Sequence, residues 1–290
     1  MKRLFVLAVG VFAAACARGA APAPLPAPSI ALPAPSDPKP LDPATDAKLR
    51  AALAGPQRTD KEKLRDAYRH PAETLAFFGL RDTMNVVELW AGGGWYTSVL
   101  APVLAEKGKL TVTHFDPNGP PKSYDTIESK ELLARLDASP DVFGKVGRQL
   151  LQPKAFVFGP DASADLVLTF RSVHNWIDDG YADKVFAAAF AVLKSGGVLG
   201  VVEHRGKPGM TVAQMKDSGY VPEEYVVSLA QAAGFKLEAR SEVNANPKDT
   251  KDHPKGVWAL PPSFANKDVD RAKYAAIGES DRMTLRFVKP

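Results

Sequence analysis

The chain has 290 residues, 45% of them hydrophobic and 24% charged, which suits one globular domain with some accessory sequence. Half of the formal net charge of +4 lies in residues 1 to 43, so the body has too small a basic excess for a nucleic-acid binder, which needs a clustered basic face to neutralise phosphates. A single cysteine excludes an intrachain disulfide, and five scattered histidines give no metal-ligand spacing, so no metal is expected.

The N-terminus reads MKRLFVLAVGVFAAAC: Lys2 and Arg3, then a run of uncharged, mostly apolar residues from Leu4 to Ala15. This is the pattern of an export signal, and it is shorter than the roughly 20 residues that a membrane-spanning helix needs. Cys16 closes the run. Its setting resembles a lipobox, whose cysteine becomes the acylated first residue of the mature protein, with Ala13 where leucine is more usual. The alternative is ordinary cleavage at a small-x-small site around Ala15 to Ala17, with Cys16 incidental. Either way the expected location is outside the cytoplasm, in the periplasm, with membrane attachment through the lipid if Cys16 is acylated. From Ala20 to Pro43 nine of the 25 prolines form a stretch that favours extended polyproline II, expected as a spacer over residues 17 to 43.

Helix signals open the body. Asp42-Pro43 precedes ATDAKLRAALAG, and Thr59-Asp60 precedes KEKLRDAYRH, which predicts a small helical cap over residues 44 to 83. From residue 84 to the end, short apolar runs alternate with amphipathic segments. Strands are expected at 84 to 90, 109 to 115, 165 to 170 and 198 to 204, and helices at 95 to 108, about 125 to 137, 182 to 197 and 223 to 235. KLEARSEV and TLRFVKP supply two further strands. The third strand in chain order lies at 146 to 151 or at 155 to 158, and periodicity does not choose between two short apolar runs. Such alternation implies an α/β domain with a mostly parallel sheet covered by helices on both faces.

Chemistry is concentrated after the first strand, in Val87-Glu88-Leu89-Trp90-Ala91-Gly92-Gly93-Gly94-Trp95. Glycines let a strand-to-helix turn bend sharply and approach a ligand closely, and the helix start supplies free N–H groups. Asp116, 22 residues after Gly94, stands after the next strand, where a carboxylate can accept hydrogen bonds from a ribose diol. Its structural alternative is an Asp-Pro turn. After the fourth strand come Arg171, His174, Asn175 and Trp176, and after the fifth Glu203 and His204. Residues beyond strand carboxyl ends are where α/β folds bind ligands, although each of these side chains also has a packing or loop-bonding alternative. His70, His114 and His253 are expected to be structural, with His253 solvent-exposed.

The run Glu88, Gly92, Gly93, Gly94 resembles motif I of class I S-adenosylmethionine-dependent methyltransferases, with Trp90 in place of the first glycine. ASADLVLTF followed by RSVHNW, and LKSGGVLGVVEH, resemble that family's segments around the fourth and fifth strands. The wording HFDPN, VVEHR and SGYVPEEYV is similar to a group of predicted bacterial methyltransferases. The resemblance covers residues 84 to 241. It implies a Rossmann-like seven-stranded sheet ending in an antiparallel strand. It also implies S-adenosylmethionine as cofactor, held by Glu88, Gly92, Gly93, Gly94, Asp116 and Arg171. Methyl transfer to a small-molecule or envelope-component acceptor would then occur beside His174, Asn175, Trp176, Glu203 and His204. Two other readings stand beside it. Because this cofactor is made in the cytoplasm, one is an exported domain that has kept ligand binding and lost transfer. A nicotinamide-dependent oxidoreductase is disfavoured by Glu88 and by Thr97 at the third glycine position of the dinucleotide fingerprint.

Overall fold

The structure is a computed structural model and describes residues 32 to 152 and 155 to 290. Cys16, the apolar run before it and the spacer up to residue 31 lie outside the described residues. Four helices come first: α1 (Pro43–Ala54), α2 (Asp60–Lys63), α3 (Asp66–Arg69) and α4 (Pro71–Phe77). Then follow β1 (Asn85–Leu89), α5 (Thr97–Leu104), β2 (Lys109–His114), α6 (Tyr124–Ala138), α7 (Pro140–Phe143), β3 (Gly147–Leu150), β4 (Ala164–Phe170), α8 (Val173–Asp178), α9 (Ala182–Val192) and β5 (Leu193–His204). The chain ends with α10 (Val212–Ser218), α11 (Glu223–Ala232), β6 (Lys236–Ser241), a short 3-10 turn at Gly256–Ala259, α12 (Arg271–Ile277) and β7 (Arg282–Val288).

The strands form one seven-stranded sheet in the order β3-β2-β1-β4-β5-β7-β6. Pairing is parallel from β3 to β5, whereas β7 inserts antiparallel between β5 and β6. Central strands covered on both faces need continuous apolar runs, and β4 and β5 have them: Leu166, Val167 and Leu168 in one, Val198, Leu199, Val201 and Val202 in the other, are all buried. β3 settles the open choice in favour of the earlier run, because Gly147 to Leu150 pairs with Thr111 to His114.

The helical cap forms through local signals. Asp42 accepts a hydrogen bond from Thr45 N–H and Pro43 sits at the first helical position, while Thr59 and Glu62 make a reciprocal capping box. The cap packs on the body: Leu49 and Ala52 of α1 join Val99, Leu100 and Val103 of α5 in the core beneath the sheet.

Two expectations change. Residues 32 to 42, read as the end of the spacer, lie along the body, where Ser36 N–H donates to Arg240 C=O of β6 at 2.8 Å. The helix expected at 182 to 197 stops at Val192. Beyond it β5 begins early, because Leu193 pairs with Ala164 and the glycine backbone bonds to the end of β7 (Gly196 N–H to Lys289 C=O, 2.8 Å; Lys289 N–H to Gly197 C=O, 2.9 Å). Tertiary pairing thus claims a segment whose periodicity continues the helix.

Candidate functional site

The parallel strands all point their carboxyl ends to one edge of the sheet, and β7, running the other way, starts there. A cleft of about 650 Å³ follows this edge, within the size range of small-molecule sites. Along it lie Phe115 after β2, Gly92 and Gly93 after β1, Arg171, His174 and Asn175 after β4, His204 at the end of β5, and Glu279 and Ser280 before β7. α3 contributes Arg69, and the segment between β6 and β7 contributes Trp258 and Pro261.

The turn after β1 has a defined conformation. Trp90, Gly92 and Gly94 all adopt positive φ (48°, 55° and 82°), of which only the glycines do so without steric cost. Trp90 tolerates it because its amide donates to Thr113 Oγ1 at 2.9 Å and its ring packs in a cluster with Phe115, Phe156, Phe158, Trp176 and Tyr181. α6 approaches the turn closely: a Cβ on Gly92 would lie 2.9 Å from Glu128 Oε2, and one on Gly94 3.1 Å from Leu132. Gly92 and Gly93 therefore face the cleft, while Gly94 is used for packing against α6 and does not line it. Glu88, 2% exposed, forms part of the floor. Thr97 Oγ1 donates to its carboxyl at 2.7 Å, which accounts for threonine at this position, and burial pushes the carboxyl up to about 8.

The His174 region is a hydrogen-bond relay. Buried Glu203 accepts from His174 N–H at 3.2 Å, from His204 N–H at 2.7 Å and from His174 Nδ1 at 3.0 Å. Two backbone donors mark this carboxyl as an acceptor, so His174 Nδ1 is the donor to it, and in the neutral tautomer of that ring Nε2 carries the lone pair. His204 Nδ1 meets Ser280 Oγ at 2.5 Å, and its ring centroid lies 5.2 Å from that of His174. Burial, together with His174 and Arg171, pushes His204 well below the ordinary histidine range, so it stays neutral. Ligand-type atoms of His174, Glu203 and His204 come within 4.8 Å of one another, a grouping that sequence spacing did not suggest. The three donors already on Glu203 explain it as a positioning network.

Three sequence expectations are corrected. Asp116 does not line the cleft: it is exposed, and its carboxylate closes an Asx turn by accepting from Asn118 N–H at 2.8 Å, with Gly119 N–H bonding its carbonyl. The carboxylates that do face the β2 end of the cleft are Asp125 and Glu128 on α6. Burial raises both, and Glu131 raises Glu128 further. Trp176 is 1% exposed and turned into the core, with its ring 5.0 Å from Trp90 and 6.0 Å from Phe186. His253 is buried, not solvent-exposed: its Nε2 bonds Asp249 at 2.9 Å, the same carboxylate that accepts from Tyr220 Oη and from Asp281 N–H.

Arg65, Arg69, Glu128 and Glu279 were not picked out from sequence. Nothing in RDAYRHP marks its arginines as inward-facing, since a surface helix carries charges as well.

The seven-stranded sheet with an antiparallel β7 inserted between β5 and β6 and a glycine turn after β1 is a Rossmann-like α/β fold of the methyltransferase type. The structure is similar to a SAM-dependent methyltransferase from Aquifex aeolicus (15% identity, TM-score 0.51, 84% of this chain and 98% of that one). It is similar also to the [4+2]-cyclase SpnF (15% identity, TM-score 0.54, 87% and 98%) and to geranyl diphosphate C-methyltransferase from Streptomyces coelicolor A3(2) (12% identity, TM-score 0.51, 87% and 100%). The sequence itself matches no protein-family model and no curated protein. At these identities the likeness establishes the fold, and the presence of a cyclase among the three means that function has to be argued from the site.

Proposed function

We propose that this protein transfers a methyl group from S-adenosylmethionine to a small-molecule or envelope-component acceptor. The observation that supports this best is the convergence of the Gly92-Gly93 turn and the Glu203-oriented His174 on one cleft. The residues fit the cofactor: two glycines admit close backbone approach, and neutral Glu88 offers a hydrogen-bonding floor. Glu128, in place of Asp116, presents a carboxylate to a ribose diol. When bound, the cofactor supplies an electrophilic methyl on a sulfonium. The chain's own task is then to align the acceptor for in-line attack and to exclude water. His174 Nε2 accepts the acceptor's proton, Glu203 holds the ring in the required tautomer, and Trp258 closes the outer wall beside His174, with ring centroids 6.1 Å apart.

Calorimetric titration with S-adenosylmethionine, S-adenosylhomocysteine and NAD tests the reading. Both SAM-type ligands are expected to bind and NAD is not. Glu128→Gln should weaken affinity about ten-fold, the scale of a charge-assisted hydrogen bond, while Asp116→Ala leaves it unchanged. A folded sample that gives no heat with either SAM-type ligand defeats the proposal.

A second reading, ligand binding without transfer, draws on Trp90 in the place of the first motif glycine and on the cyclase with this fold. Cofactor binding with no turnover across candidate acceptors would favour it.

The protein is further proposed to be exported and anchored through an acylated Cys16. Expression in a bacterial host with labelled palmitate should label the wild type and not Cys16→Ser. Membrane fractionation should release the variant, and an unlabelled wild type removes the anchor.

A further inference from the structure

The β4 to β7 end of the cleft holds an unusual charge arrangement. Three guanidinium groups, those of Arg65, Arg69 and Arg282, meet a single carboxylate, Glu279, and a fourth, that of Arg171, lines the same cleft. Glu279 is committed to Arg65 Nε at 2.6 Å and to Arg282 Nη1 at 3.2 Å, and it lies 3.5 Å from Arg69 Nε, beyond good hydrogen-bond geometry. Arg282 is otherwise satisfied by the Tyr68 and Ser280 carbonyls.

Arg69 is not satisfied. It is 2% exposed, lines the cleft, and its Nε and Nη2 find no hydrogen-bond partner among the described residues; nor does buried Arg65 Nη2. Its guanidinium lies 4.5 Å over the Trp95 ring, a contact that holds the group in place without occupying its N–H donors. Arg171 stands at the mouth of β4 with positive φ (59°) and has no ion pair among those found in the described residues. Leaving buried donors and like charges uncompensated is costly, and a site built for an anion explains why they are kept. Burial, with Arg171, Arg65 and Arg282 nearby, also presses Arg69 towards deprotonation, a pressure that a bound anion relieves.

We propose that Arg69, Arg65 and Arg171 form an oxyanion site that takes a carboxylate or phosphate group of the acceptor. The assignment to the acceptor rests on the methyltransferase reading; the anion site itself does not. Position favours the acceptor: the cluster lies at the β4 to β7 end, beside His174 and His204, whereas Glu128 and Phe115 define the opposite end. Charge favours it too, because S-adenosylmethionine carries a net positive charge, and an excess of guanidinium suits an anionic partner better than a cationic one.

The test uses the full chain, with inorganic phosphate as probe against chloride at matched ionic strength. Phosphate should raise Tm with a saturating concentration dependence. Arg171→Gln, at a partly exposed position without an ion pair among the described residues, should fold and reduce that shift by at least half, and Arg69→Gln should abolish it. S-adenosylhomocysteine titrated with and without phosphate should bind equally well or better with phosphate present. No saturating shift, or an equal shift in the Arg171 variant, overturns the site. Competition between phosphate and S-adenosylhomocysteine overturns the acceptor assignment and gives the arginines to the cofactor's carboxylate. Failure of S-adenosylhomocysteine to bind either with or without phosphate, with the phosphate shift intact, counts against the methyltransferase reading and leaves the anion site standing.

Discussion

Glu88 shows how one buried side chain couples the site to stability. Its carboxyl titrates near 4.5 when exposed and at about 8 in the fold. Between those values the folded state binds more protons than the unfolded state, so this group's contribution to stability falls as pH rises from about 4.5 to 8 and is level beyond. Glu88→Gln keeps the shape and removes the titration. Urea unfolding at pH 5 and pH 8 should therefore show the glutamine variant gaining on the wild type by a few kcal/mol at the higher pH, on the order that such a shift implies. A difference that does not change with pH would mean that Glu88 is ionised in the folded protein. The residue was visible in the sequence as an acid closing a strand. Its neutral state was not, because that depends on the packing around it.

At the scale of elements, α8 divides its labour by rotation. Successive residues on a helix turn by about 100°, so His174 and Asn175 face the cleft while Trp176 points into the core between β1 and α9. The sequence put all three at the right strand end, and only the helix decided which of them reach the ligand. Trp176→Ala should cost about 3 to 5 kcal/mol in denaturant unfolding, as for a large aromatic removed from a core. S-adenosylhomocysteine affinity should hold once the sample is folded. A weakened affinity at unchanged stability would return Trp176 to the site. α6 makes the complementary case: the glycines of the turn let Glu128 and Leu132 pack closely on it, so the acid that faces this end of the cleft comes from a helix rather than from the end of β2.

For the whole molecule, Glu279 ties the first helices to the last strand, since it pairs with Arg65 just before α3 and with Arg282 at the start of β7, 214 and three residues away. Its own burial opposes ionisation, but Arg282, Arg69 and Arg65 overcome that and bring the carboxyl down to about 2. A carboxyl with a lowered folded pKa adds stability that is complete above about 4.5 and is lost as pH falls through about 2. The advantage of wild type over Glu279→Gln should thus be on the order of 3 kcal/mol at pH 7 and shrink across that acidic window in thermal unfolding. An unchanged gap from pH 5 to pH 2 would show that the ion pairs do not carry this linkage.

The sequence by itself determined the α/β alternation, the glycine turn after β1 and the capped helices, because periodicity, caps and turns act over a few neighbouring residues; the antiparallel direction of the last strand came only from the resemblance to a known family. The sequence also placed His174, Glu203 and His204 at strand ends. Tertiary structure decided the rest. It set the start of β5 through pairing with β4 and β7, turned Asp116 outward and Glu128 inward, and buried His253 on Asp249. It brought Arg69 and Arg171, 102 positions apart in the chain, to one cleft. Burial, charge clustering and the direction of a side chain arise from contacts between distant segments, and no local pattern records which partners those segments will meet.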